Sequence, residues 1–441
     1  MLRAHVRGCL VLILLVACGG PTPVAAPRSS EPAPVTPIPL AQARAELATA
    51  QALCTADHGA LWQVPLCGPI MMVDRATRFI VANQADAGGL LTPRDGVFVG
   101  SLPASENIAN TSLTWSGVHW VQLVWPLPDD PAARQITMVH EMFHRIAAQV
   151  GIAKQGELAN AQLATADGRY YLQLEWRALA AALRATDDAT RRRAIADVLG
   201  FRAARRARFP GSAAAEDALE LHEGLAEYTG VVVGQPAAPV AAALRDLTAH
   251  VDDPSFMASF AYATGPALGL LLDRYAPPWR AQIRQLRSLS DTLAHAVGVA
   301  PSDPAIAAAG YDGAALRRAE DTRAAELAAQ LARYQRVLVD GPVATLGFRA
   351  MSIQYDPRNV QPLGELGSVY PTLRVSDAWG VLTVTHGALV TSSWQAVVVP
   401  APSEPTARPV TGDGWTLELA PGWSLVPDAR RGDFRLARAG E

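Results

Sequence analysis

The stretch ITMVHEMFHRIAAQ, residues 136–149, contains two histidines four positions apart, with a glutamate directly after the first. On an α-helix, residues four apart lie on one face, one turn from each other, so His140 and His144 can reach the same small cation. Glu141 then points toward a water molecule on that cation and can accept its proton. The alternative interpretation is a helix that carries two ordinary core or surface histidines.

Boundary signals place this stretch well inside one helix. Asp130 can cap the first turn, Pro131 suits the first helical position, and Gly151 favours termination. We therefore predict a helix over residues 131–150. Earlier segments rich in β-branched and aromatic residues predict a small sheet, with strands within residues 68–74, 78–83, 95–102 and 117–125. Hydrophobic patterns predict further helices over residues 41–53, 169–186, 189–209, 212–230, 265–276 and 314–338.

A hydrolytic zinc site needs a third protein ligand and an open position for water. Glu223 is the leading candidate, because it lies in the middle of a predicted helix, where its position can be fixed. Glu175 is nearer to the two histidines in the sequence and remains an alternative. We expect Glu220 and Glu227 to be solvated, or to hold a histidine through its ring N–H.

Three motifs together resemble gluzincin zinc metallopeptidases of the aminopeptidase N type. They are HExxH at residues 140–144, EGLAxY at residues 223–228 and YxxG at residues 262–265. The resemblance implies a Zn²⁺ ion bound by His140, His144 and Glu223. It also implies that Glu141 is the general base and that the hydroxyl of Tyr262 stabilises the oxyanion of the tetrahedral intermediate.

Two features depart from that family pattern. The segment between the second histidine and the glutamate is long enough for a two-helix insertion, and no GxMEN segment, which helps aminopeptidases hold a free amine, is found. The resemblance therefore implies the catalytic core of a gluzincin and does not extend to aminopeptidase specificity. The strand at residues 117–125 is either the edge strand on which gluzincins bind an extended substrate or a buried strand.

Two other functions remain open. The first is a non-catalytic envelope lipoprotein whose metal site is structural or vestigial and which acts as a scaffold or binding module. Retention of Glu141 speaks against it, because a structural site has no use for a base beside its ligands. The second is a zinc hydrolase of cell-wall or other non-peptide amides, which would use the same chemistry.

The N-terminus predicts export and lipid anchoring. Residues 1–17 have arginines before an apolar run that is too short to span a bilayer, which is typical of a signal peptide. The run ends in LVAC, which resembles the lipobox of bacterial lipoproteins, so Cys18 is expected to carry acyl chains. The Pro-rich residues 18–40 would form a tether. By this resemblance the protein lies in the bacterial cell envelope, at the outer membrane facing the periplasm.

Composition and patterning predict a globular α+β protein. Half of the 441 residues are hydrophobic, and the net charge of −3 gives no reason to expect a nucleic-acid partner. The resemblance to gluzincins implies a peptide or protein substrate as the partner. Residues 41–339 are predicted to form a zincin-like, mainly helical catalytic domain with a small N-terminal sheet. Residues 340–441 are predicted to form a C-terminal domain resembling a β-sandwich.

Two smaller predictions concern cysteines and arginines. Cys54 and Cys67 close a short loop, and in an oxidising envelope they are expected to form a structural disulfide. The arginine-rich residues 191–208 are expected to be the solvated face of an amphipathic helix.

Overall fold

The computed structural model describes residues 37–152, 160–356 and 359–440. Pro37–Glu441 form one compact unit. The predicted signal peptide, the lipidated Cys18 and most of the tether lie outside the described residues, so they remain predictions. Within the described ranges, no helix combines the length and apolar character needed to cross a membrane.

The α+β fold class is confirmed: a small N-terminal sheet precedes a helical middle region, and the C-terminal region is rich in strands. The α-helices described are α1 (Leu40–Asp57), α2 (Pro131–Val150), α3 (Ala166–Arg184), α4 (Asp188–Arg208), α5 (Ser212–Leu219), α6 (Leu225–Gly234), α7 (Pro239–Ala249), α8 (Phe256–Tyr275), α9 (Leu289–Val297), α10 (Pro304–Ala307) and α11 (Gly313–Gln335). Short 3₁₀ segments lie at Ala161–Ala164, Pro277–Gln285, Ala308–Tyr311 and Gly364–Leu366, and π-helical turns at Glu220–Gly224 and Arg336–Asp340.

The strands form three sheets. They are β1 (Ile70–Asp74), β2 (Phe79–Ala82), β3 (Thr92–Arg94), β4 (Val97–Ser101), β5 (Thr111–Trp115), β6 (Val118–Trp125), β7 (Val343–Gly347), β8 (Ser352–Tyr355), β9 (Gln361–Pro362), β10 (Gly367–Tyr370), β11 (Leu373–Asp377), β12 (Gly380–Val384), β13 (Ala388–Thr391), β14 (Ala396–Pro400), β15 (Val410–Gly412), β16 (Trp415–Leu419), β17 (Trp423–Pro427) and β18 (Phe434–Arg438).

The N-terminal sheet has the strand order β3-β4-β2-β1-β6-β5. The β1 and β6 strands pair in parallel, whereas β5 and β6 pair antiparallel, with Leu113 opposite Trp120. The strand predicted over residues 117–125 is therefore an interior strand with a buried centre, and the edge-strand alternative is wrong. The edge on that side is β5, which the sequence patterns did not predict.

The α2 helix forms as its sequence predicts. The Asp130 side chain accepts a hydrogen bond from the Ala133 N–H at 3.0 Å, Pro131 occupies the first helical position, and Gly151 ends the helix with φ +90°. One face of α2, including Val139 and Phe143, is fully buried in the main core. The α6 helix packs directly against α2, and α8 packs against α6. The predicted range of residues 131–150 is confirmed.

Two predicted helix boundaries are wrong. The helix predicted over residues 212–230 is divided by the π-helical turn Glu220–Gly224 and continues as α6 to Gly234. The helix predicted from residue 265 begins at Phe256, so Pro266 lies inside α8 and not at its start. Proline is disfavoured there because it cannot donate a hydrogen bond to the carbonyl four residues earlier.

The C-terminal strands form two sheets that share one core. Their orders are β17-β18-β7-β14-β13-β10-β9 and β15-β16-β12-β11-β8, and buried side chains from both, such as Val397 and Leu382, belong to one hydrophobic cluster. The β7 strand begins at Val343, just after the last helical turn. Both regions belong to the same compact unit, so a division at residue 340 remains a prediction.

The predicted disulfide between Cys54 and Cys67 is present. It ties the end of α1 to the loop that leads into β1. Arg145 on α2 holds the same loop, because its Nη2 donates hydrogen bonds to the carbonyls of Cys67 at 2.7 Å and Leu66 at 3.1 Å. The histidine-bearing helix is thus anchored to a covalently closed segment.

Candidate metal centre

The α2 helix presents His140 and His144 on one face, one turn apart. Their Nε2 atoms are 3.0 Å apart, and the Oε2 atom of Glu223 lies 3.3 Å from each. The three residues form a group whose ligand atoms can reach one ion. The site therefore brings together the two histidines and the acid that the sequence motifs pointed to.

These separations fit a tetrahedral ion. Ligand bonds of about 2.0–2.1 Å around zinc separate neighbouring ligand atoms by about 3.3 Å. The tautomer of His140 also fits, because its Nδ1 lies 2.6 Å from Glu227 Oε2 and can donate its proton there, which leaves Nε2 as a ligand. Glu227 therefore holds a histidine through its ring N–H, which is one of the two roles expected for it. It is not the solvated residue that the other expectation described.

The electrostatics of the three side chains favour a cation between them. Burial opposes the charge of His140, but hydrogen bonds to Glu223 and Glu227 outweigh it and hold the pKa of His140 well above its usual value. Burial also opposes the charge of Glu223, but hydrogen bonds from His140 and His144 hold its pKa well below the usual value. Positive charge is therefore stabilised at the point where the three side chains meet.

Glu141 lies beside this group with one carboxylate oxygen unpaired. The residue is 6% exposed, and its Oε2 has no hydrogen-bond partner among the described residues. Burial raises the pKa of Glu141 above its usual value. A buried carboxylate oxygen without a partner is rare in proteins, and one beside two ligand histidines is placed to bind a water or a proton.

Tyr262 lies on the other side of the group, inside α8. Its hydroxyl donates a hydrogen bond to Glu223 Oε2 at 2.7 Å, and its ring stacks on that of His140 with centroids 5.2 Å apart. Burial raises the pKa of Tyr262 well above its usual value, so the phenol remains a proton donor. Tyr262 lies within the helix and not in a loop before it.

Close contacts between helices set the position of Glu223. A Cβ on Gly224 would lie 3.0 Å from the Cα of Gly265 on α8, whereas a Cβ on Gly230 would lie 2.8 Å from the carbonyl oxygen of Ile136 on α2. Gly224 therefore packs against α8, and Gly230 is the residue that permits close packing on α2. Tyr228 adds a further link, since its hydroxyl hydrogen-bonds to Asp273 on α8 at 2.8 Å.

Glu175, the alternative third ligand, is bound elsewhere. It is fully buried and accepts hydrogen bonds from Arg202 Nε at 2.9 Å and Arg205 Nη1 at 2.6 Å. Arg202 also donates to Glu220 at 2.8 Å, and Arg205 donates to Glu216 at 3.1 Å. Glu220 is therefore not solvated. The prediction that residues 191–208 form a solvated arginine face is wrong for Arg202 and Arg205, whose carboxylate partners come from other helices.

A cleft of about 480 Å³ opens onto the metal group. One wall is α2, and the other is the segment Asn110–Thr114, which includes most of the edge strand β5. No strand was predicted for this wall, because the residues TSLTW lack the alternation of apolar and polar residues that marks a strand. The cleft has room for an extended chain beside the metal ligands.

Asp246 on α7 is a second residue that no motif marked. Burial, and then the nearby carboxylate of Glu227, raise the pKa of Asp246 to about 8, so this side chain is protonated at neutral pH. Its Oδ2 is buried without a hydrogen-bond partner among the described residues. Asp246 is thus close to Glu227, the residue that accepts the hydrogen bond from His140. Only tertiary packing brings Asp246 there, so no local sequence pattern marks it.

No family model, curated protein or solved structure matches this chain.

Proposed function

We propose that this protein is a zinc-dependent peptidase of gluzincin type that hydrolyses peptide bonds with an activated water. The observation that carries the proposal is the convergence of His140 Nε2, His144 Nε2 and Glu223 Oε2, each about 3 Å from the others, beside the unpaired carboxylate of Glu141. A structural metal site would need the three ligands but not the buried base.

Zinc bound by these three side chains supplies Lewis acidity to the attacking water and to the substrate carbonyl. Glu141 accepts the proton of that water as its oxygen bonds to the carbonyl carbon. The same carboxyl group then delivers the proton to the amide nitrogen as the C–N bond breaks. Burial raises the pKa of Glu141, which favours uptake of the proton from that water.

Two further side chains support this chemistry. Tyr262 is a neutral donor next to the ligand position, and there it can donate a hydrogen bond to the oxyanion of the tetrahedral intermediate. Glu227 keeps His140 in the tautomer whose Nε2 is free to bind metal. The role of Glu227 is supported by the hydrogen bond it makes, whereas that of Tyr262 requires its hydroxyl to turn from Glu223 to the oxyanion.

The edge strand β5 favours a polypeptide substrate over other amides. It pairs with β6 on one side, and no described strand pairs with its other side, which borders the cleft. Such an edge presents backbone N–H and C=O groups with which an extended peptide can pair. Main-chain pairing would lay the scissile bond along the cleft, past Glu141 and His144.

The test is the variant Glu141→Gln, assayed with a peptide library and by metal analysis. We expect it to keep about one equivalent of zinc and to lose roughly 10²–10⁴-fold in turnover, which is the usual contribution of a general base. Glu326→Gln on α11 is the matched control, because Glu326 is exposed on a helix away from the cleft. Unchanged turnover in Glu141→Gln would contradict the proposed mechanism. Metal-free wild-type protein of normal stability would support the scaffold alternative instead.

We also propose that the protein is anchored in the bacterial cell envelope through Cys18. The support is the lipobox-like sequence LVAC at the end of the apolar run. The wild-type protein should incorporate labelled palmitate and fractionate with membranes, whereas Cys18→Ser should do neither. Equal membrane fractionation of both proteins would contradict the anchor.

A further inference from the structure

A second cavity, of about 870 Å³, lies between the N-terminal sheet and the C-terminal region. Its walls include Asn107–Ala109, which precede β5, and Ile353–Asp356, which are mostly β8. The Ser352 hydroxyl hydrogen-bonds to the Asn107 side chain and so joins the two walls at one end. The cavity is thus built jointly by the two regions.

This cavity continues from the metal cleft along one stretch of backbone. Asn107–Ala109 line the cavity, and the next residues, Asn110–Thr114, line the cleft. The β8 strand is itself the edge of its sheet. A chain that leaves the cleft in this direction therefore passes from the edge strand β5, which borders the cleft, to the edge strand β8, which borders the cavity.

The cavity carries positive charge from both walls. Arg75 and Arg374 line it, and neither has a carboxylate partner within the described ranges. Arg78 is close by: burial first, and then the charge of Arg374, lower its pKa, while Glu106 offsets part of the effect. Asp356, the acid among the lining residues, has an interaction of its own. Two arginines, one from each region, thus face a space whose lining includes a single acid, Asp356.

We propose that this cavity binds an acidic segment of the polypeptide substrate, several residues from the scissile bond, through Arg75 and Arg374. The inference rests on the proposed peptidase function and adds a substrate class to it. Guanidinium groups bind carboxylates with paired hydrogen bonds, and they remain charged at any physiological pH. The edge strand β8 beside the cavity supplies main-chain pairing, which selects a polypeptide over a free anion.

The inference is tested by binding rather than by turnover. Labelled peptides with an Asp/Glu cluster placed on either side of a common central sequence are titrated into zinc-loaded Glu141→Gln protein, next to versions in which the acids are replaced by Gln. We expect roughly tenfold tighter binding of one acidic peptide at low salt, and a smaller difference at high salt. Equal affinity for acidic and Gln peptides would overturn the proposal.

Variants assign the effect to the two arginines. In Arg75→Gln/Arg374→Gln the acidic preference should disappear, whereas Arg318→Gln, an exposed arginine on α11, should retain it. Arg374→Glu should reverse the preference toward peptides with a Lys cluster, and this result guards against a variant that is merely misfolded. An acidic preference that persists in the double variant would overturn the proposal.

The outcome is separable from the proposed function. If the wild-type protein binds acidic peptides through these arginines but cleaves none of them, the peptidase proposal is contradicted and the binding-site proposal is supported. If the wild-type protein cleaves peptides with no preference for acidic ones, the peptidase proposal is supported and the binding-site proposal is contradicted.

Discussion

Gly224 and Gly265 are in direct backbone contact, and a Cβ on Gly265 would collide with the Cα, C and O atoms of Gly224. Through this contact, the turn that carries Glu223 packs against α8. The contact point on α8, Gly265, is three residues from Tyr262. The two glycines therefore set the distance between the Glu223 carboxylate and the Tyr262 hydroxyl, which is 2.7 Å.

Gly265→Ala should disturb the metal site more than its small volume suggests. The added methyl meets backbone, which cannot rotate aside, so α8 must move away from the turn. We expect a stability loss of about 1–3 kcal/mol and weaker zinc binding. Thermal unfolding and zinc competition measure the two effects. Gly310→Ala is the control, since a Cβ there meets nothing within 4 Å. Equal behaviour of the two variants would mean that the glycine contact does not position Glu223.

Glu227→Ala should weaken metal binding without removing a ligand. His140 loses the acceptor of its Nδ1 proton, so its ring is no longer held in one orientation and one tautomer. We expect zinc affinity to fall roughly 10- to 100-fold, as measured by competition with a chromogenic chelator. An affinity equal to that of wild type would show that Glu227 does not orient the imidazole.

Arg202→Met should destabilise the fold strongly. Arg202 is 3% exposed and bridges the fully buried carboxylates of Glu175 and Glu220, which would be left with too little positive charge. Removing one partner of such a buried group costs roughly 3–5 kcal/mol. Urea denaturation measures the loss. Arg193→Met on the same helix is the control, because Arg193 is exposed. A loss as small as that of the control would contradict the role assigned to the buried network.

The same network predicts a pH dependence of stability. Burial opposes the charge of Glu216, but Arg205 outweighs it and lowers the pKa from its usual 4.5 to about 2. The folded state thus binds this proton more weakly than the unfolded state does. The resulting stabilisation is complete above pH 4.5 and is lost as the pH falls toward 2.

This contribution amounts to roughly 3 kcal/mol, from the difference between the two pKa values. Glu216→Gln should be less stable than wild type at pH 6, and its free energy of unfolding should fall less between pH 4.5 and pH 2. Urea denaturation at several pH values gives both curves. Parallel curves for the two proteins would show that Glu216 is not held ionised by Arg205.

The three residues of the candidate metal group were predictable because their signals are local or nearly so. HExxH fixes a face of one helix, and caps at Asp130 and Gly151 fix the ends of that helix, so the sequence located α2 to the residue. Glu223 was favoured over Glu175 by its surrounding motif. The structure gives the reason for the choice: arginines of α4 already neutralise Glu175.

What the sequence missed depends on tertiary partners. Arg202 and Arg205 looked solvated because their acids come from α3, α5 and the π-helical turn, which no helical period connects to α4. Pro266 looked like a helix start, although the packing of α8 tolerates a proline in its middle. The edge strand β5 has mixed polarity because it borders the cleft, so its pattern did not indicate a strand.

The π-helical turn Glu220–Gly224 also bears on how such a site can be lost over evolutionary time. A turn of this kind winds wider than the α-helical turns around it, and each residue of a regular helix adds about 100° of rotation. Deleting one codon between Glu220 and Glu223 would restore regular winding, and the two carboxylates could no longer face Arg202 and the imidazoles together. One short deletion would thus inactivate the site in a descendant protein and leave its core unchanged.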